Sequence, residues 1–233
     1  MKLGIMQPYF FPYIGYFQLI SAVDQFVIHN DVQWIKGGWI NRNRIFSGGK
    51  LSYITLPLQK SSSLCKINEK KLSADIERQK IKLMKQIEGA YRQAPQFDST
   101  FHFISHCLAC QEQNVSLFIV NTLRKCCDYL GIFTPFLLSS DLNKENTLKG
   151  HSRVKNICHI LSATQYINPI GGTELYCKDD FEVENIELYF LRTRNISYKQ
   201  ANQPFMPNLS IIDMLMFCPV EEVQIFLKEY DLE

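Results

Sequence analysis

Two short apolar runs, "KLGIM" at residues 2–6 and "QFVI" at 25–28, constrain the fold more than any other feature of this chain. Both read as buried strands, and between them residues 13–23 carry Ile14, Phe17, Leu19 and Ile20 in a helical pattern. A strand, a short helix and a second strand make the start of a βαβ unit, whose strands are parallel neighbours. Further strands are predicted at "LSYITLP" (51–57), in "TPFLLSSDL", in "TQYINPIGG" and at "IELYFL" (186–191). Helices are predicted over 74–92, stopped by Pro95, and over 115–130, with Gly131 as the residue that ends the helix. "RVKNICHIL" and two C-terminal segments are also predicted to be helical, one capped by Ser210 and one opened by Pro219. Alternating strands and helices predict an α/β class: a Rossmann-like, mostly parallel sheet in a single domain over 1–233, with a helical insertion at about 74–130.

The segment between the first two strands is unusual. "IMQPYFFPYIGYFQLI", residues 5–20, is broken by Pro8 and Pro12 and places the hydroxyls of Tyr9, Tyr13 and Tyr16 inside an apolar run. Buried phenols need hydrogen-bond partners, so the segment is expected to wall a pocket rather than only to fill a core. In a parallel α/β sheet, sites lie at the carboxyl ends of the strands. That rule selects Gln7 after the first strand, Asp31 after the second, and Asn168, Gly171 and Gly172 after the strand near 166. The stretch "DVQWIKGGWINRNRI" adds Lys36, Trp39, Asn41, Arg42 and Arg44.

Arg and Lys suit phosphate or carboxylate, and Trp and Tyr offer stacking faces. The predicted site is therefore an anion clamp (Lys36, Arg42, Arg44) with a polar floor (Gln7, Asn41, Asn168) and an aromatic wall (Tyr9, Tyr13, Trp39). Asp31, Lys36 and Tyr13 are the candidate catalytic groups, with Asp31 as base. The Gly171–Gly172 pair could let backbone approach a phosphate, although a plain tight turn explains it as well. The alternative for the whole set is a packed aromatic loop with solvent-facing basic residues.

Other classes are disfavoured. A net charge of +2 implies no strong field for polyanions, so nucleic acid is not an expected partner. No run of 18 or more apolar residues is present, and the first twenty residues lack the pattern of a signal peptide, which predicts a cytoplasmic protein with no membrane span. The 8 cysteines are scattered in apolar contexts and are expected to be reduced. His102, His106, Cys107 and Cys110 have helical spacing, but no second ligand pair accompanies them and no metal site is predicted. Neither G-x-G-x-x-G after the first strand nor a Walker A sequence occurs.

The sequence resembles the WbqC-like family of bacterial proteins. The likeness is carried by "IMQPYFFPYIGYFQLI", "DQFVIHNDVQWIKGGWINRNRI", "TLKGHSRV", "YINPIGGTELY" and "PNLSIIDMLMF", with His151 standing where Gln is more usual. The resemblance implies an enzyme of surface polysaccharide (O-antigen) biosynthesis that transfers an aminoacyl, glycyl-type, or acyl group to a sugar. It implies no catalytic residues. The N-terminal segment is also similar in layout to nucleotidylyltransferases, with "YIGY" (Tyr13–Tyr16) where their His-x-Gly-His turn stands and both histidines missing. A nucleotide such as ATP, or a nucleotide-linked sugar, would suit these groups. An adenylate-forming ligase and a non-catalytic nucleotide-sugar binding protein are the alternatives. Oligomeric state is not legible.

Overall fold

The structure, a computed structural model, describes residues 1–201 and 204–233. Eight strands and eight α-helices follow one another as β1 (Lys2–Met6), α1 (Ile14–Ser21), β2 (Gln25–Ile28), β3 (Arg42–Ser47), β4 (Lys50–Thr55), α2 (Ile76–Tyr91), α3 (Phe97–Leu108), α4 (Val115–Leu130), β5 (Phe136–Leu138), α5 (Gly150–Ile160), β6 (Gln165–Pro169), α6 (Lys178–Glu182), β7 (Glu187–Thr193), α7 (Ile211–Phe217), α8 (Val220–Phe226) and β8 (Tyr230–Leu232). The main sheet has the order β5-β2-β1-β6-β7-β8. Its first five strands are parallel, and β8 is an antiparallel edge. The chain starts in the middle at β1, runs outward through β2 to β5, then returns to β6 on the other side of β1. The strand order therefore reverses between β1 and β6, which is where a doubly wound sheet opens a crevice. The Rossmann-like class is thus what the chain adopts.

The alternation along each strand explains why both faces are covered. Leu3, Ile5, Val27, Tyr166, Leu188 and Phe190 pack with Val154, Ile157 and Cys158 of α5 and Phe181 of α6. Phe26, Ile28, Ile167 and Leu191 point the other way, into a larger core with α1, α2–α4, α7 and α8. Gly4 permits this packing, because a Cβ there would stand 3.0 Å from the Phe26 ring.

One strand assignment needs correction. Residues 51–57 were expected to be a third sheet strand, yet β4 pairs only with β3, in a separate antiparallel hairpin, and the third parallel strand of that half is β5. The hairpin turns at Gly48 and Gly49, whose φ values of 57° and 78° are those a tight two-residue turn requires. Arg42 and Arg44 consequently sit on a strand and not in a loop. Between the end of β2 and β5 the chain leaves the main sheet for the hairpin and α2–α4.

The hairpin and α7 fix the proline-split segment. Phe10 and Phe11 are fully buried. Their carbonyls accept from Asn43 Nδ2 at 3.2 and 2.9 Å, and Phe11 also accepts from Ser210 Oγ at 2.7 Å. Phe11 has φ 41°, a conformation a bulky residue adopts only when its surroundings hold it there. Asn43→Ala would leave the buried Phe10 carbonyl without its side-chain donor and the Phe11 carbonyl with Ser210 alone. A loss of about 1–3 kcal/mol is expected in denaturant unfolding, and an unchanged midpoint would show that Asn43 does not hold the segment.

Candidate functional site

A cleft of about 380 Å³ opens over the carboxyl ends of β1, β6 and β7, at the reversal of strand order, and Tyr9, Pro12, Tyr13, Trp39, Asn43, Arg44, Ile170, Arg192, Thr193 and Asn208 line it. Each wall has a local reason to be there. Tyr9 and Tyr13 come from the segment after β1, Arg44 faces outward on β3 while Asn43 and Ile45 point inward, and Arg192 and Thr193 end β7. Arg44 lies over the Trp39 ring at 5.2 Å, and its Nη2 donates to the Asn208 carbonyl at 3.3 Å. Its Nε is buried and has no partner among the described residues. A guanidinium held over an aromatic ring with its Nε donor unpaired, at a cleft, is suited to an anionic group carried by a planar one.

The tyrosines act here as neutral donors. Burial raises the pKa of Tyr13, and a hydrogen bond with Thr193 opposes that in part. Burial raises Tyr9 as well, with Tyr13 adding to it. Tyr16 is fully enclosed and gives its hydroxyl to the Gln7 carbonyl at 2.8 Å, so it is core. The Tyr13 ring folds back over the first turn of α1, where a Cβ on Gly15 would stand 2.5 Å from it. Gly15 therefore makes room for the Tyr13 ring.

A second hollow of about 560 Å³ adjoins the cleft and shares Tyr13, Thr193 and Asn208 with it. Its far wall includes Tyr198 and Phe205, from the segment between β7 and α7. Asp213 anchors that segment from below, accepting from Tyr91 at 2.8 Å, Tyr198 at 2.6 Å and Gln200 at 2.8 Å. Burial raises the Asp213 pKa, while the hydrogen bonds from Tyr198, Tyr91 and Gln200 oppose it.

The remaining sequence-predicted residues are dispersed. Arg42 stacks on Tyr53 at 4.6 Å and donates to the Gly37 and Gly38 carbonyls, closing its own turn. Lys36 is exposed on that turn. Asn41 donates to the Leu56 carbonyl at 2.7 Å, bracing the hairpin. Gln7 is half-buried and does not line the cleft. Asn168 accepts from Tyr166 at 3.0 Å, and its amide occupies the space above Gly172, where a Cβ would come within 1.6 Å. That packing accounts for Gly172. Gly171 is exposed with open space around it, and His151 is exposed in the first turn of α5. His102 and His106 face solvent while Cys107 is buried, and among the described residues no three metal-ligating side chains converge.

Asp31 lies apart from the cleft, in a buried charge cluster at the ends of β2 and β5. Lys144 Nζ stands 2.6 Å and Arg153 Nη2 2.5 Å from its Oδ2, and Ser139 donates to its Oδ1. Burial would raise the Asp31 pKa, but the hydrogen bonds from Lys144 and Ser139 and the charge of Arg153 outweigh it and hold the carboxyl below its usual range. A carboxylate so saturated is a poor proton acceptor, and a role as base in the cleft is not one this placement favours. Beside it, burial and then the Arg153 charge lower His29 from 6.5 to about 4.

Arg192, Thr193 and Asn208 in the cleft, and Lys144 and Arg153 in the cluster, were not anticipated. The strand-end rule, extended to β7, points to Arg192 and Thr193. Nothing local marks Lys144 or Arg153, which lie more than a hundred residues from Asp31.

No helix among the described residues is long and apolar enough to cross a membrane. No solved structure matches the chain. The uncharacterized protein Rv1507c of Mycobacterium tuberculosis is 30% identical over 217 residues, covering 92% of each chain. The model of the WbqC-like protein family matches residues 7–225, and the chain belongs to that family.

Proposed function

We propose that this protein is an enzyme that binds a nucleotide-linked sugar, or an acyl group activated on a nucleotide, in the cleft over β1, β6 and β7. In this reading it transfers an aminoacyl or acyl group during assembly of a bacterial surface polysaccharide. The observation that carries the binding half is the free, buried Nε of Arg44 over Trp39, at the reversal of strand order. Arg44 takes a phosphate oxygen, Trp39 stacks on the base or sugar ring, and Tyr9 and Tyr13 donate as neutral phenols. Tyr13 has the further merit of standing between the two hollows, so a donor in one and an acceptor in the other would meet beside its hydroxyl. The transfer half rests on the resemblance of the chain's motifs to its family.

A charged hydrogen bond to phosphate contributes about 1.5–3 kcal/mol. Arg44→Ala is therefore expected to weaken binding of a nucleoside diphosphate about ten- to over a hundredfold in calorimetric titration. The same change should leave the unfolding midpoint nearly in place, because the side chain has one long hydrogen bond and a stacking contact to lose. Unchanged affinity with lowered stability would mean that Arg44 only braces the hairpin.

A further inference from the structure

We propose that the N-terminus of α5, with Arg153 and Lys144 beneath it, is a phosphoryl-binding site separate from the cleft. Three observations converge there. Two buried cations share one carboxylate: the side chains of Lys144, Arg153 and Asp31 are 1%, 9% and 6% exposed, so one positive charge has no buried counter-charge. Leaving a charge uncompensated in such a place is costly unless something completes it. Arg153 Nε and, near it, His29 Nε2 are buried without partners among the described residues. Helical side chains lean back toward the helix N-terminus, which directs Arg153 to the end where α5 has its free N–H groups.

That end is also left unfilled. Lys149 at the N-cap position makes no side-chain cap, and the first turn has no acidic residue. It carries Arg153 instead, a charge that the helix dipole disfavours at this end unless an anion is present. Gly150 has φ 54° and open space where a Cβ would be, so backbone is accessible at the mouth. Of the two acids on the preceding segment, Asp141 accepts from the Ser140 hydroxyl at 3.0 Å and Glu145 from the Thr147 hydroxyl at 2.7 Å. A tetrahedral oxyanion would supply the missing charge and accept from both the Arg153 fork and the helix N–H groups. The site does not depend on the reading of the cleft.

The test is thermal unfolding of the full chain in inorganic phosphate, in acetate and in chloride at equal ionic strength and pH, with Kd taken from the dependence on phosphate. The wild-type chain should show a saturable rise in Tm with phosphate and none with acetate, and Arg44→Ala should keep that rise. Arg153→Met should weaken phosphate at least about tenfold. Its Tm in chloride should stay close to wild type, because Lys144 still neutralises Asp31. Absence of a phosphate-specific rise, or its persistence in Arg153→Met made in the Arg44→Ala background, would overturn the proposal. An equal rise with acetate would overturn the phosphoryl assignment, and loss of the rise in Arg44→Ala would place the anion in the cleft. Failure of Arg153→Met to fold in chloride would make Arg153 a structural counter-charge and likewise overturn it.

Discussion

Replacing Asp31 with Ala is expected to cost about 3–5 kcal/mol of stability, the largest effect of any single change considered for this fold. The carboxylate is the sole acid bonded to Lys144 and Arg153 among the described contacts, and its removal leaves two cations facing each other, each 7% exposed. Asp31→Asn should cost less than Ala, because an amide oxygen still accepts from one of them. The asymmetry of the cluster adds a second expectation: loss of Arg153 should be tolerated while loss of Asp31 is not. Equilibrium unfolding in urea measures all three. A cost for Asp31→Ala within about 1 kcal/mol, the range of an exposed ion pair, would mean that the cluster is hydrated and that its charges are not in balance with one another.

The second large expectation concerns pH. His29 has its pKa lowered from 6.5 to about 4 in the folded chain, by burial first and by Arg153 next, with Lys144 adding to this and Asp31 opposing it. The folded state therefore binds fewer protons than the unfolded state between those values. Stability should be fully present above about pH 6.5 and fall as the pH drops toward 4, by up to about 3 kcal/mol. Asp31 has the same sign but a lower window, since its folded pKa lies below the unfolded value and its contribution fades only as the pH falls below about 4. His29→Gln should flatten the upper part of the profile and leave the lower part. A profile of the wild-type chain that is flat from pH 7 to 5 would show that His29 is charged or solvated in the fold.

How much of this was legible in the sequence depended on whether a residue's role was local. β1, β2, β6 and β7 announced themselves because buried parallel strands are short apolar runs. β3 did not, because its inward positions are Asn43 and Ile45, and a buried Asn that holds two carbonyls reads as loop. The Gly48–Gly49 pair between "RNRIFS" and "KLSYIT" was the signal that a hairpin was there. In the site, Tyr9, Tyr13, Trp39 and Arg44 do share one cleft. Arg42, Lys36, Asn41 and Asn168 looked equivalent to them in sequence, but strand alternation and turn closure send them elsewhere. The Asp31 cluster was half visible: the carboxylate stood at a strand end, whereas Lys144 and Arg153 sat in a polar stretch that looks like solvated surface until the topology brings β5 and α5 beside β2.

We propose that the cleft at the reversal of strand order holds an anionic ligand with a planar ring, against Arg44 and Trp39. The chain has 2 tryptophans, so Trp34→Phe leaves Trp39 as the sole indole reporter. Titrating that variant with UDP, ADP and a UDP-linked sugar should give saturable quenching of Trp39 fluorescence with at least one of them. The same titration after Arg44→Ala should need about ten- to over a hundredfold more ligand. No quenching by any of the three up to millimolar concentration, or quenching that Arg44→Ala leaves unchanged, would contradict the account.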